Sequence, residues 1–136
     1  MRLWHKDLIE VLPRQQLLGQ WRELNSMFKL ENNHMLINYA YANKQALLTF
    51  SQAVICEMIK RKYKVNLDAH YKYFNETINN GFERFDEHDD EYLVICYYNL
   101  KEKFLRGGMT DREWHFIDCR FKELIGEKNG RKKKHN

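Results

Sequence analysis

Pro13-Arg14-Gln15-Gln16-Leu17-Leu18-Gly19-Gln20-Trp21-Arg22-Glu23-Leu24 decides the fold class. At about 100° per residue the stretch separates into two faces. Leu17, Trp21, Leu24 and Phe28 share one side, with Leu18 at its edge. Gln15, Gln16, Gly19, Arg22, Glu23 and Ser26 share the other. Pro13 suits the first helical position, where its missing N–H costs nothing. A helix over 13–29 follows. Its polar face holds amides, a guanidinium and a carboxylate around a glycine, and a mid-helix glycine costs about 1 kcal/mol relative to alanine. On residue types alone, the ordinary reading is that Gly19 meets a neighbouring helix and the rest is a solvated face. The sharper reading is close approach of a ligand.

The same periodicity recurs outward from this stretch. Asn43 can cap a second helix over about 44–62, whose stripe of Leu47, Phe50, Val54 and Met58 is broadened by Ala46, Leu48, Ile55 and Ile59. That width marks a central helix. Its Lys60-Arg61-Lys62 end complements the helix dipole, and a phosphate contact is the alternative. Asn66 or Asp68 can cap a third helix to about Asn80, lined by Tyr71, Phe74 and Ile78 and stopped by Gly81. A fourth helix carries Tyr92, Leu93, Cys96, Leu100 and Phe104 up to Gly107-Gly108. Thr110 and Glu113 form a capping box for a fifth, with Trp114, Ile117, Phe121 and Leu124 inward and Gly126 as its end. Trp4, Leu8, Ile9, Val11 and Leu12 pack the N-terminal segment on these helices. Residues 34–42 read equally as an extended segment or a buried turn. The expected architecture is all-α: a single compact domain of about five helices over 1–126, then a basic, disordered tail over 127–136.

Composition bounds the function. The chain has 136 residues, 43% hydrophobic and 31% charged, with one proline and six glycines. That describes a globular domain with little room for a turn-rich β fold. No apolar run reaches the ~20 residues a membrane span needs, and Arg2, His5, Lys6 and Asp7 stand where an export signal would be apolar. Cys56, Cys96 and Cys119 read as reduced core thiols of a cytoplasmic protein. The net charge of +4 is misleading. Lys128, Arg131, Lys132, Lys133 and Lys134 against Glu127 account for all of it, so the body is neutral. Phosphate contacts on the body must then come from a local cluster. The acidic run 83–91 with His88 reads as a solvated helix start. No zinc, EF-hand or phosphate-loop spacing is present, and no metal or other cofactor is implied.

The first helix resembles that of the pyrimidine-dimer DNA glycosylases, the phage-type endonuclease V family. Their pattern of Gln-x-Leu-x-x-x-aromatic-Arg-Glu-Leu is matched here by Gln15, Leu17, Trp21, Arg22, Glu23 and Leu24. Met1-Arg2-Leu3-Trp4-His5 is similar to the family's opening, in which the N-terminal residue precedes an arginine. Small bacterial relatives open in much the same way, and the match is strongest over residues 1–28. The resemblance implies a DNA glycosylase coupled to abasic-site lyase activity on damaged double-stranded DNA. It implies an N-terminal amine as nucleophile and Glu23 as the acid/base carboxylate. It places Arg2, Gln15, Gly19 and Arg22 against the DNA. An α-amino group, with a pKa of roughly 7.7–8.0, is already partly free base at neutral pH. Arg2 blocks trimming of the initiator, so the amine would be that of Met1. Ser26 stands where the family has a further arginine, and Arg14, Lys29 or the tail would have to replace its phosphate contact. His34 aligns loosely with a family histidine; its ordinary reading is a loop or buried-turn residue. A monomer suits an enzyme that must engulf a distorted duplex. The competing reading is a non-catalytic nucleic-acid-binding module using the Gln15/Gly19/Arg22 face and the tail.

Overall fold

The computed structural model describes residues 2–30, 37–75, 77 and 81–134. Met1 and His34 lie outside them. Among the described residues the chain is all helical: a 3-10 helix over Lys6–Val11, then α1 Arg14–Leu30, α2 Asn38–Ala42, α3 Lys44–Lys60, α4 Asp68–Tyr73, α5 Asp90–Leu105 and α6 Asp111–Lys134. α1 packs on α3 and α4, α2 on α3, the 3-10 helix on α3 and α6, and α5 on α6.

The caps read from sequence form as expected. The Asn43 side chain accepts the Ala46 N–H at 3.1 Å. Thr110 Oγ1 accepts the Glu113 N–H at 3.1 Å while Glu113 Oε1 accepts the Thr110 N–H at 2.9 Å, so two orphan donors are satisfied reciprocally. At the end of α5 the Gly108 N–H reaches back to the Lys103 carbonyl, with Gly107 at φ 82°. The end of α3 makes the same closure through Lys62 at φ 64°, a left-handed cap without glycine.

The apolar face of α1 is buried as its period requires: Leu17 and Leu24 are inaccessible, and Trp21 and Phe28 nearly so. α3 buries Leu47, Phe50, Val54 and Met58 and is the central helix. Its last turn leaves the core, so Ile59 is exposed rather than part of the stripe. α5 and α6 are joined by aromatics. Tyr97 stacks on Phe121, Phe104 stacks on Trp114, and the Tyr97 hydroxyl donates to Asp118 at 2.6 Å. That bond holds the Asp118 carboxyl below the usual range.

Several expectations are corrected. The third helix stops at Tyr73, not near Asn80, because the chain turns there: the Thr77 N–H bonds the Phe74 carbonyl at 2.9 Å. His70 and Phe74 are its buried residues, while Tyr71 faces out. Neither Asn66 nor Asp68 caps it by a side chain; Asn66 closes a local turn onto the Asp68 N–H. Ile78 lies outside the described residues. The segment left open between strand and turn contains helix α2. α6 runs through Gly126 to Lys134, into the stretch expected to be an irregular tail, since Gly126 lacks the positive φ of a stop. Of the cysteines only Cys96 is in the core; Cys56 and Cys119 are exposed. Arg61 is structural: it bonds Glu57 and donates to the carbonyls of Leu12 and Glu10, tying the 3-10 helix to α3.

The largest correction concerns His88. It is no solvated helix start. Asp89 is the cap of α5, and His88 turns inward among Phe50, Phe85, Tyr39 and Tyr92. Its Nε2 is 2.7 Å from the Tyr39 hydroxyl. Burial, reinforced by His5, pushes its pKa down to about 3. A histidine held neutral in the fold but free to protonate when unfolded destabilises the fold in acid. The loss begins as pH falls through the unfolded value near 6.5 and continues to about 3. Unfolding free energy is therefore expected to drop by about 2 kcal/mol between pH 7.5 and 5 on account of this residue. Urea titrations at the two pH values measure it. His88→Asn should remove that share of the slope.

Candidate functional site

The polar face of α1 borders a cleft of about 670 Å3. Gln15, Gln16, Leu18, Gly19, Gln20 and Arg22 form one wall. Arg2 and Trp4 close one side. Asn99, Glu102, Lys103 and Arg106, from the C-terminal half of α5, form the opposite wall. Four cationic side chains line the cleft against a single carboxylate, Glu102, and that carboxylate is paired with Arg106 at 2.7 Å. The neutral body thus carries a local positive cluster, suited to a phosphate chain.

Gly19 answers the question posed by its placement. A Cβ built there meets only the Arg22 guanidinium, at 3.6 Å. Among the described residues no neighbouring helix comes within 4 Å of that Cβ, and the glycine opens onto the cleft. Gly19→Ala is therefore expected to fit without strain and to stabilise α1 by up to about 1 kcal/mol. The same substitution should weaken binding of any ligand seated in the cleft severalfold, because a methyl group then occupies the approach. Thermal melting and a binding titration together check both signs.

Four of the expected site residues, Arg2, Gln15, Gly19 and Arg22, line one cleft. Glu23 follows Arg22 on α1, half-buried, and is not among the lining residues. Its angular position falls between those of Gly19 and Gln16, one turn beyond Gly19. Helix period thus puts it on the cleft's side of α1, without making it part of the lining. Met1 lies outside the described residues.

The segment leading into this cleft is firmly held. Leu3 is fully buried and its carbonyl accepts from the Tyr92 hydroxyl. The Trp4 N–H donates to Gln20 Oε1 at 2.7 Å. The His5 ring accepts the Asp7 N–H at Nδ1 and donates from Nε2 to the His88 carbonyl at 3.0 Å. Gln20 itself is 2% exposed, and its Nε2 has no partner among the described residues. Sequence reasoning gave no role to Gln20 or to the α5 wall. Cations at the end of a helix suit its dipole whatever lies nearby, so Lys103 and Arg106 carry no local signal of a site. Only the packing of the helices turns Lys103 and Arg106 toward α1.

The described residues thus form an all-helical body with a cationic cleft beside a pinned N-terminal segment. The model of the pyrimidine dimer DNA glycosylase family matches residues 1–71, from the N-terminus into α4, and the chain belongs to that family. No curated protein and no solved structure matches it. No helix among the described residues is long and apolar enough to cross a membrane.

Proposed function

We propose that the protein is a DNA glycosylase with coupled abasic-site lyase activity, acting on pyrimidine dimers or a related base lesion in double-stranded DNA. The observation that carries this is the convergence of Arg2, Gln15, Gly19 and Arg22 on one cationic cleft within the family-matched segment. In this reading the amine of Met1 attacks C1′ of the deoxyribose as the glycosidic C–N bond breaks and the base leaves. Opening of the sugar ring at O4′ leaves an imine between the amine and C1′. The imine acidifies C2′; loss of that proton expels the 3′ phosphate by β-elimination, and hydrolysis of the imine frees the enzyme. Glu23 stabilises the positive charge that develops on the sugar and relays protons. The imine is its own electron sink, and the mechanism uses no cofactor. Arg2 and Arg22 hold phosphates beside the lesion, with Gln15 at the start of α1. Lys103 and Arg106 face them and supply the cationic contact that Ser26 lacks. We read the protein as acting as a cytoplasmic monomer, whose cleft is open to a duplex.

Borohydride trapping tests the reading. One duplex carries a single thymine dimer, another an abasic site, and mass spectrometry locates the adduct. An adduct on the Met1 amine with both duplexes is expected. No adduct with either, from protein with a free N-terminus, would leave a binding module without chemistry.

A further inference from the structure

The N-terminal segment is gripped more tightly than a chain end needs to be for stability. Three consecutive residues are held from three directions. Tyr92 on α5 donates to the Leu3 carbonyl, Gln20 on α1 accepts from the Trp4 N–H, and His5 is bonded to the turn before α5. Leu3 is inaccessible and His5 is 3% exposed. The Trp4 N–H can only donate, so the Gln20 oxygen must face it. From the nitrogen of Leu3 to the terminal amine is two residues of chain, at most about 7 Å. Whatever fixes Leu3 and Trp4 therefore bounds the reach of that amine. Attack on C1′ requires nitrogen and carbon to meet at about 3–3.5 Å, and misplacement by 1 Å can cost a hundredfold in rate.

We propose that Tyr92 and Gln20 are positioning residues for the N-terminal amine, holding the Leu3 and Trp4 backbone so that the amine is presented at the cleft between α1 and α5. The proposal rests on the amine-nucleophile reading above. Tyr92 is absent from the cleft lining and lies beyond the family-matched segment. Its ring is stacked on His88 with centroids 4.8 Å apart. Tyr92→Phe keeps that stack and removes only the hydroxyl that grips Leu3. Gln20→Met keeps the side-chain length and removes the acceptor for Trp4.

The test separates rate from binding. Each variant of the full chain is mixed in saturating amount with an abasic duplex, and the single-turnover rate of borohydride trapping is followed. Affinity is measured separately on a duplex carrying a tetrahydrofuran abasic analogue, which cannot form an imine. Trapping is expected to slow about tenfold in each variant while affinity stays within about twofold. Unchanged trapping in Tyr92→Phe, or a rate loss matched by an equal loss of affinity, would overturn the positioning role. A parent protein that traps neither this abasic duplex nor the thymine-dimer duplex would overturn the enzyme reading itself, and the two failures are told apart by that control.

Discussion

Glu23→Gln is expected to lower base release from a thymine-dimer duplex roughly a thousandfold or more while leaving the fold intact. The exchange keeps the shape of the side chain and removes its charge and its basicity. In the proposed mechanism both are used: the charge opposes the developing positive sugar, and the base moves a proton. Loss of a general base costs about 10²–10⁴-fold, and loss of a charge aimed at the transition state about 10²–10³-fold. Glu23 is only half-buried on α1, so the change in unfolding free energy should stay within about 0.5 kcal/mol. Single-turnover base release and thermal melting report on the two halves. Turnover within tenfold of the parent would move the chemistry elsewhere. Glu102, the carboxylate that lines the cleft, would be the next to replace.

Blocking the terminal amine is the second large effect. Acetylation of Met1 delocalises the nitrogen lone pair into an amide, which cannot form an imine. Trapping on an abasic duplex is expected to fall at least about a hundredfold, since the proposed nucleophile is gone. Affinity for the tetrahydrofuran duplex should change far less, because the cations of the cleft remain. A chain extended by two residues before Met1 should behave similarly, its amine carried past the position that Leu3 and Trp4 define. If an adduct persists and maps to Lys103, the one lysine lining the cleft among the described residues, that side chain is the nucleophile instead.

Much was legible before any coordinates. The helical character, the central role of α3, the capping box at Thr110 and the glycine closure after α5 all follow from local rules of period and cap. So does the α1 face that carries Gln15, Gly19 and Arg22, because a helix places residues three and four apart on one side whatever surrounds it. The motif of α1 also carried the family.

Burial and partnership were decided only by the tertiary structure. His88 sits in an acidic run that looks solvated, yet the turn before α5 folds it under Tyr39 and Phe50. Gln20 sits between Gly19 and Trp21 with nothing local to mark an amide as buried, yet it is almost inaccessible and accepts from the Trp4 N–H of the N-terminal segment. Lys103 and Arg106 are some eighty residues from α1 in sequence, and nothing local tells them to face Arg22. Helix periodicity assigns a residue to a face of its own helix. Which face meets which is settled by how all the apolar stripes are buried at once, and that settlement built the second wall of the cleft.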